Sequence, residues 1–264
     1  MENKNVAIIG LGWLGMPLAF NFKNAGFDVY AGSGKSQKIK ELNDFGFKGF
    51  LISYSDESVQ IDLKKNEIDN ICHLIICLPP STFKNYALTI SSIVKQFDQK
   101  TKIIFTGTTS IYHDNDAKIN EDFSKNKEHP VYIAEQNLLR LRKERLTILR
   151  LAGLVGGNRH PVKYFIQKDL IPNSNAPVNL VSQKDVIRAI QLIIERNIFG
   201  EVFNIVNPFH PTKRDYYLAA AKEIFKTVPR TEVGKGGKLV LGTKFENQVG
   251  FQYLFALDDW SDFF

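Results

Sequence analysis

Three glycines near the start of the chain have the spacing with the clearest chemistry. Gly10, Gly12 and Gly15 follow the apolar run Val6–Ile9 and precede a helical pattern. In such a strand–turn–helix unit the first glycine permits a tight turn, and the second lets a pyrophosphate approach the backbone. The third lets the helix pack closely, and the helix N-terminus attracts phosphates. We therefore predict a dinucleotide-binding loop made of Gly10, Gly12, Trp13, Leu14 and Gly15.

The segment after the second predicted strand, Phe27–Ala31, bears on which dinucleotide is bound. A site for NAD carries an acidic residue there that accepts hydrogen bonds from the adenosine ribose. This segment has no acid and instead offers two hydroxyls, flexible backbone and a cation, which suit a 2′-phosphate. We predict NADP(H) in preference to NAD(H), with NAD as the alternative. The residues concerned are Ser33, Gly34, Lys35 and Ser36.

A rigid apolar segment follows the predicted strand Ile71–Leu78. Leu78 precedes Pro79 and Pro80, and two prolines stop the strand ladder because they cannot donate backbone hydrogen bonds. We expect these residues to form a lip over the cofactor cleft. We also expect the next helix to begin at Ser81.

Hydroxyl side chains follow the predicted strand Ile103–Thr106. Thr106 and Thr108 belong to the sequence TGTTS. Hydroxyls at this edge of a sheet can orient a substrate carbonyl or a nicotinamide ribose, and they can equally cap local backbone groups. The sequence leaves both interpretations open.

Strand and helix patterns alternate in the first half of the chain. The predicted strands are continuous apolar runs, which indicate a parallel sheet buried on both faces. We predict an α/β fold, a doubly wound Rossmann sheet with a small C-terminal substrate-binding subdomain. The predicted core is 1–152, with the sheet completed by 178–207, and the smaller part comprises 153–177 and 208–264.

The composition excludes several classes of protein. The 264 residues are 44% hydrophobic and 23% charged, and the basic residues behind the net charge of +6 are dispersed, so we expect no nucleic-acid binding. Cys72 and Cys77 lack the spacing of a redox or zinc site, so we expect no metal and a reducing compartment. No signal pattern or apolar run of membrane-spanning length occurs, so we expect a cytoplasmic protein without a membrane partner.

Several motifs together resemble the extended and atypical short-chain dehydrogenase/reductase superfamily, in particular its NAD(P)-dependent epimerase/dehydratase-like group. The resemblance covers most of the chain, and the GxGWLG form of the glycine motif is typical of one subgroup. The matching segments are Gly10–Gly15, Leu78–Pro80, Phe105–Tyr112, Ile148–Pro161, Val178–Val186 and Gly200–Ile205.

The resemblance implies a catalytic tyrosine and lysine spaced Y-x-x-x-K on the helix over about 130–145, and this chain departs from that pattern. Aligning Glu135 with the family's E-x-L-L sequence puts Lys127 and Val131 at the two positions. Shifting the alignment recovers Tyr132, but Gln136 then replaces the lysine. The spacing does occur from Tyr164 to Lys168, in the wrong element, and we interpret that match as chance.

Thr108 and Tyr132 are therefore the catalytic candidates, with Thr108 as the hydroxyl that assists the tyrosine. Arg159 and His160, in the loop that resembles the family's substrate loop, are the predicted substrate-binding residues. Loops over a cleft commonly carry recognition. His113 is a further candidate because imidazole suits acid–base chemistry near neutral pH.

These residues favour an NAD(P)(H)-dependent oxidoreductase or epimerase that acts on a small polar or nucleotide-sugar-like substrate as a monomer or homodimer. An alternative is a sensor or regulatory protein that binds NADP without catalysis. A third hypothesis is an enzyme like the β-hydroxyacid dehydrogenases, whose N-termini can also read G-L-G-x-x-G-x-P. We rank it lower because the strand-like run Val202–Val206 occurs late in the chain.

Overall fold

The computed structural model describes residues 4–55, 58–114 and 117–261. The strands are β1 Asn5–Ile9, β2 Asp28–Ser33, β3 Lys48–Tyr54, β4 Val59–Ile61, β5 His73–Ile76, β6 Lys102–Thr108, β7 Lys118–Ile119, β8 Leu146–Leu151, β9 Gly153–Val155, β10 Leu170–Ile171, β11 Leu180–Ser182, β12 Val202–Ile205, β13 Arg230–Thr231 and β14 Leu239–Val240. The helices are α1 Gly15–Asn24, α2 Ser36–Asp44, α3 Lys65–Asn70, α4 Tyr86–Gln96, α5 Pro130–Arg142, α6 Val162–Gln167, α7 Gln183–Glu195, α8 Lys213–Phe225 and α9 Thr243–Val249.

An eight-stranded sheet has the order β12-β8-β6-β5-β1-β2-β3-β4. β1 pairs in parallel with β2 on one side and with β5 on the other, and every pairing within the spatial order β6-β5-β1-β2-β3 is parallel. β4 adds an antiparallel edge to β3. Val6–Ile9 are completely buried, as expected for a strand covered on both faces. The predicted doubly wound α/β fold is confirmed.

The chain forms two compact units. Within the described residues, the N-terminal unit lies in 1–107, 126–149 and 190–202, and the second unit lies in 108–125, 150–189 and 203–264. The second unit contains the short parallel pairs β9–β11, β10–β13 and β7–β14. Its apolar core is built from α6, α8 and their neighbours, with Val162, Tyr217 and Ala220 among the buried members.

The predicted helix start at Ser81 is wrong. Pro80–Thr82 form a single 3₁₀ turn, and α4 begins at Tyr86. Phe83 ends the turn because its backbone is extended, with φ −133° and ψ 138°. Its ring packs against the ring of Tyr54, and the two ring centroids are 4.6 Å apart.

Ser182 caps α7. Its Oγ accepts a hydrogen bond of 3.2 Å from the Lys184 N–H, in the first turn of α7. In the part of the chain that the structure describes, Cys72 and Cys77 are free thiols. Within the same residues, the side chains assemble no group of three or more potential metal ligands, and every helix is too short or too polar to cross a bilayer.

Candidate functional site

The glycine loop joins β1 to α1. Gly10 has φ +97°, and a methyl group added there would lie 2.6 Å from the backbone carbonyl of Cys77. The Gly12 N–H donates to the Gly10 oxygen at 2.8 Å, which closes the turn. A methyl group on Gly15 would lie 2.2 Å from the same Gly10 oxygen. Gly10 is therefore required by the close approach of the chain at Cys77, and Gly15 by the close approach of the loop at Gly10.

Gly12 is different, because a methyl group added there would meet no atom within 4 Å. Gly12 is exposed, beside half-buried Trp13 and buried Leu14. Leu14 makes no side-chain cap to α1, and the first turn of that helix carries no acidic side chain. An uncovered backbone beside a helix N-terminus fits the pyrophosphate of a dinucleotide.

The four residues predicted to select the cofactor run from the end of β2, at Ser33, to the start of α2, at Ser36. Ser33 Oγ accepts the Lys35 N–H at 3.1 Å, which orders the turn. Gly34, Lys35 and Ser36 are exposed. Among the residues that the structure describes, the Lys35 ammonium group has no hydrogen-bond or ionic partner. The Lys35 ammonium group is therefore not used in a contact within the described fold.

Lys38 makes a contact with the glycine loop that the sequence did not predict. Its Nζ donates to the Leu11 oxygen at 2.9 Å, so α2 is tied to the glycine loop. Lys35 is the N-cap residue of α2, and Lys38 lies three positions later in the first turn, so their nearness in sequence was the available signal.

The predicted lip follows β5. Pro79 and Pro80 are exposed, and Leu78 is half-buried with its carbonyl oxygen accepting the Tyr86 hydroxyl at 2.9 Å. Cys77, just before the lip, lies beneath the glycine loop. Burial raises the pKa of its thiol to about 12, so it stays protonated and unreactive at neutral pH.

The hydroxyls of Thr106 and Thr108 both have partners within their own surroundings. Thr106 Oγ1 donates to the Ile76 oxygen at 3.0 Å, which joins β6 to β5 at their carboxyl ends. Thr108 Oγ1 accepts the Ser110 N–H at 3.1 Å and lies 3.0 Å from Ser110 Oγ. Thr108 thereby caps the 3₁₀ turn Thr109–Ile111.

Helix α5 carries Tyr132 and Gln136, one turn apart and both half-buried. The Tyr132 hydroxyl has no hydrogen-bond partner in the described parts of the chain. The neighbouring face of α5 presents Val131 and Glu135 to the end of β6. A methyl group on Gly107 would lie 3.4 Å from Val131 Cγ1 and 3.0 Å from Glu135 Oε1. Lys127, the other aligned position, is exposed in the turn before α5.

The loop between β9 and α6 contains the predicted substrate residues. Gly156 and Arg159 exchange backbone hydrogen bonds of 3.1 Å in each direction, and Gly156 and Gly157 have φ of +130° and +52°. This tight turn leaves the Arg159 side chain exposed. His160, the next residue, is only 4% exposed.

Both ring nitrogens of His160 are engaged. Nδ1 accepts the Val162 N–H at 3.1 Å, so the proton of the neutral ring lies on Nε2. Nε2 lies 3.1 Å from the Tyr216 hydroxyl, which donates onward to the Leu257 oxygen at 2.8 Å. Burial lowers the pKa of His160 to about 4, so the ring is neutral at pH 7.

The stability of the protein should fall in mild acid because of His160. The His160 ring is protonated near pH 6.5 in the unfolded chain and only near pH 4 in the folded chain. The free energy of unfolding therefore has its full value above pH 6.5 and falls as the pH drops towards 4. Urea unfolding should show that the wild type loses up to about 1.4 kcal/mol per pH unit more than His160→Gln in that window. The pKa of His73 is also lowered to about 4, and its effect on stability is the same in both proteins, so it cancels from their difference. Parallel pH curves for the two proteins would contradict the assignment.

His160 also borders a cavity of about 260 Å³ in the second unit. The cavity lies between the turn at Gly156, the start of α7 at Ser182 and Lys184, and the segment 254–257. Lys184 is exposed, and its Nζ lies 5.2 Å from the centre of the Phe255 ring. The cavity combines an apolar wall with a cation, as small-molecule sites commonly do.

A buried polar network in the second unit also escaped sequence reasoning. Arg150 Nη1 donates to the Tyr112 hydroxyl at 2.9 Å and to the Glu121 carbonyl oxygen at 3.0 Å. The Tyr112 hydroxyl donates to Asn204 Oδ1, and Asn204 N–H donates to the Glu121 carboxylate, both at 2.7 Å. Burial raises the pKa of Tyr112 to about 12. The network joins residues far apart in sequence, so no local pattern announces it.

Comparison with known proteins agrees with the geometry of the glycine loop. Residues 5–130 match the family model of the NAD binding domain of 6-phosphogluconate dehydrogenase. Over the whole chain, protein YeeZ of Escherichia coli K12 is 32% identical across 266 aligned positions, which cover 95% of this chain and 96% of the relative.

Solved structures share the fold over almost the whole chain. UDP-glucuronic acid 4-epimerase from Bacillus cereus, in complex with NAD, has a TM-score of 0.73 at 16% identity, covering 97% of this chain and 95% of its own. dTDP-glucose 4,6-dehydratase from Bacillus anthracis, also in complex with NAD, has a TM-score of 0.72 at 14% identity. The match covers 96% of this chain and 93% of the dehydratase chain. This chain therefore has the fold of these NAD-bound epimerase and dehydratase structures, and its residues 5–130 resemble an NAD binding domain.

Proposed function

We propose that this chain, which belongs to the family of protein YeeZ, is an NADP(H)-dependent oxidoreductase or epimerase. Its substrate is a small polar molecule, nucleotide-sugar-like in class. The observation that carries the proposal is the open backbone at Gly12, next to the uncapped start of α1. The late return of the chain to the main sheet as β12 supports this proposal over the β-hydroxyacid dehydrogenase hypothesis.

The uncommitted cation at Lys35 supports the preference for NADP. A 2′-phosphate needs donors that the fold has not already used, and Lys35 is exposed and without a partner in the described residues. Ser33 is less suited to this role because its Oγ already accepts the Lys35 N–H. Lys38 supports the site indirectly by holding α2 against the glycine loop.

A bound nicotinamide ring supplies or accepts a hydride. For this chain's own side chains we propose that Tyr132 donates a hydrogen bond, and at turnover a proton, to the substrate oxygen. Its hydroxyl is uncommitted, whereas those of Thr106 and Thr108 have partners. Thr108 is the proposed assisting hydroxyl, and Arg159 contributes a cation that recognises an anionic part of the substrate.

A sensor that binds NADP without catalysis is the second candidate, and the observation that favours it is the make-up of α5. The face of α5 towards Gly107 carries Val131 and Glu135, and Gln136 stands one turn after Tyr132. The sequence of α5, Pro130–Arg142, contains no lysine that would make Tyr132 a stronger acid. Such a helix would retain the cofactor fold with weakened chemistry.

Nicotinamide absorbance distinguishes the two candidates. The protein is mixed with NADPH or NADP and a panel of aldehydes, ketones and nucleotide sugars. Turnover that Tyr132→Phe reduces at least about tenfold, with NADPH binding unchanged, supports the enzyme. Tight NADPH binding without turnover on the panel favours the sensor. Failure to bind either dinucleotide would contradict both.

Lys35→Ala should weaken NADPH binding by about tenfold, or about 1.4 kcal/mol, and leave NADH binding unchanged. The ammonium group is expected to pair with the 2′-phosphate, which NADH lacks. Fluorescence titration with both dinucleotides measures the two dissociation constants. Lys40→Ala is the matched control because Lys40 is an exposed lysine of α2, the helix that follows Lys35. Equal losses for NADPH and NADH would show that Lys35 does not select the cofactor.

The proposed location is the cytoplasm. The two free thiols, Cys72 and Cys77, support it because they are compatible with a reducing compartment.

A further inference from the structure

A second cavity, of about 330 Å³, lies in the second unit and shares no lining residue with the cavity beside His160. Four short segments surround it, each contributing two residues: 117–118, 175 and 177, 210 and 212, and 237 and 239. The functions considered above make no use of these residues.

Backbone hydrogen bonds hold the walls of this cavity in place. Leu239 pairs with Lys118 in the parallel ladder of β14 and β7. On the other side Pro177 bridges to Thr212, and the Val178 N–H donates to the Pro211 oxygen at 2.9 Å. The cavity is therefore preformed, and its volume is at the lower end of the range for small-molecule sites.

His210 contributes one nitrogen with a defined role. Its Nδ1 lies 2.8 Å from the Val178 carbonyl oxygen, which can only accept, so Nδ1 carries the proton. Nε2 of the neutral ring is then an acceptor, and it has no partner among the residues described. Burial lowers the pKa of His210, which favours this neutral form.

Two further side chains provide donors. Asn175 Oδ1 accepts the Gly234 N–H at 2.8 Å, which fixes the amide and leaves its NH₂ group as a donor. Lys118 is exposed on β7, and its ammonium group has no partner in the described part of the chain. The cavity therefore combines a cation, an amide donor and an imidazole acceptor with the apolar surfaces of Pro177 and Leu239.

The Thr212 hydroxyl and the Lys213 N–H, at the start of α8, already have partners within the described chain. Thr212 Oγ1 donates to Asp215 Oδ2 at 2.6 Å and accepts the Asp215 N–H at 3.1 Å. The Lys213 N–H donates to the Ala176 oxygen at 2.8 Å. Among the described lining residues, Lys118, Asn175 and His210 are the side chains that retain an unused polar group.

We propose that this cavity binds a small hydroxylated anion, a sugar phosphate or a sugar acid. Lys118 and the Asn175 amide would hold the phosphate or carboxylate oxygens, and His210 Nε2 would accept a hydroxyl proton of the sugar. Pro177 and Leu239 would lie against the apolar face of the ring. The proposal does not rest on the proposed reaction, because none of these residues belongs to the glycine loop or to α5.

Calorimetric titration of the full chain with glucose 1-phosphate, glucuronate and glucose tests the proposal. We expect at least one of the two anions to bind with a dissociation constant below about 1 mM, and neutral glucose to bind at least about tenfold more weakly. The better anion identifies whether the site takes a phosphate or a carboxylate. Glucose binding as tightly as the anions, or no heat from either anion, would overturn the proposal.

Variants assign the binding to this cavity. Lys118→Ala should weaken the anion about tenfold or more, and Lys118→Arg should restore most of the affinity because it keeps the charge. Lys235→Ala is the control, since Lys235 is exposed in the neighbouring loop and does not line the cavity. Equal losses in Lys118→Ala and Lys235→Ala would show non-specific attraction to a basic protein and overturn the site. NADPH binding, measured in parallel, should be unchanged in all three variants.

Discussion

Gly12→Ala is expected to impair NADPH binding without harming the fold, whereas Gly15→Ala is expected to harm the fold first. The chemical change is one methyl group in both variants. At Gly12 that group meets no protein atom within 4 Å, but it occupies the side from which a pyrophosphate approaches. At Gly15 it would stand 2.2 Å from the Gly10 oxygen. Because that neighbour is backbone, the loop has to move to relieve the contact.

Two measurements on both variants separate the effects. NADPH affinity should fall at least about tenfold in Gly12→Ala, an effect of about 1.4 kcal/mol. Its free energy of unfolding should stay within about 1 kcal/mol of the wild type, because replacing glycine at a permissive position mainly restricts the unfolded chain. Gly15→Ala should lose about 3 kcal/mol, as overpacking against backbone does.

The pattern of the two variants matters more than either value. Unchanged NADPH affinity in Gly12→Ala would remove the observation on which the proposed function rests. A Gly15→Ala protein as stable as the wild type would show that α1 can shift without cost. Gly26→Ala is an unsuitable control despite the free space around it, because Gly26 has φ +80°.

Local patterns made the first half of the fold predictable. Val6–Ile9 form a buried strand because four aliphatic residues in a row suit a sheet covered on both faces. The glycine loop is local in part, since the Gly12 N–H bonds to Gly10 and Gly15 contacts Gly10, although Gly10 also lies against the distant Cys77. The cap at Ser182 lies two residues from its donor, so a short window of sequence contains it.

The rest of the fold depends on pairings that no window of sequence contains. β9 and β11 are three residues each, and Gly153 pairs with Leu180. β7 and β14 are two residues each, and they pair across more than a hundred positions. Strands this short have no periodicity to detect. The surrounding chain decides whether they form.

The same reasoning applies to the site. Lys35 can be proposed from the sequence because specificity for the adenosine ribose follows a local rule at the end of the second strand. The Lys38 contact with Leu11, and the Arg150 contact with Tyr112, required the three-dimensional structure. His160 illustrates the converse case. Its position in a candidate substrate loop was apparent, but its burial and its two committed nitrogens depend on residues as distant as Tyr216.

Asp185→Ala is expected to cause the largest loss of stability in the second unit. The side chain of Asp185 is 0% exposed, and its carboxylate accepts the N–H groups of Leu254 and Phe255 at 3.1 and 3.2 Å. It also pairs with Arg188 Nη1 at 2.6 Å, and the same nitrogen donates to the Gln252 oxygen at 3.0 Å. Alanine removes the shared acceptor of all these donors.

Arg188 is 35% exposed, so solvent screens its charge, and the cost comes mainly from the hydrogen bonds to the buried carboxylate. Urea unfolding of Asp185→Ala should show a loss of about 3 kcal/mol. Hydrogen exchange should locate the damage, because the Leu254 and Phe255 amides lose the acceptor that protects them. Asp28→Ala is the matched control. It removes an exposed ion pair with Lys48, where the N–O distance is 3.0 Å, and should cost less than about 1 kcal/mol. Equal losses in the two variants would mean that Asp185 does not anchor this segment. Since 254–257 form one wall of the cavity beside His160, loss of the anchor should also loosen that wall.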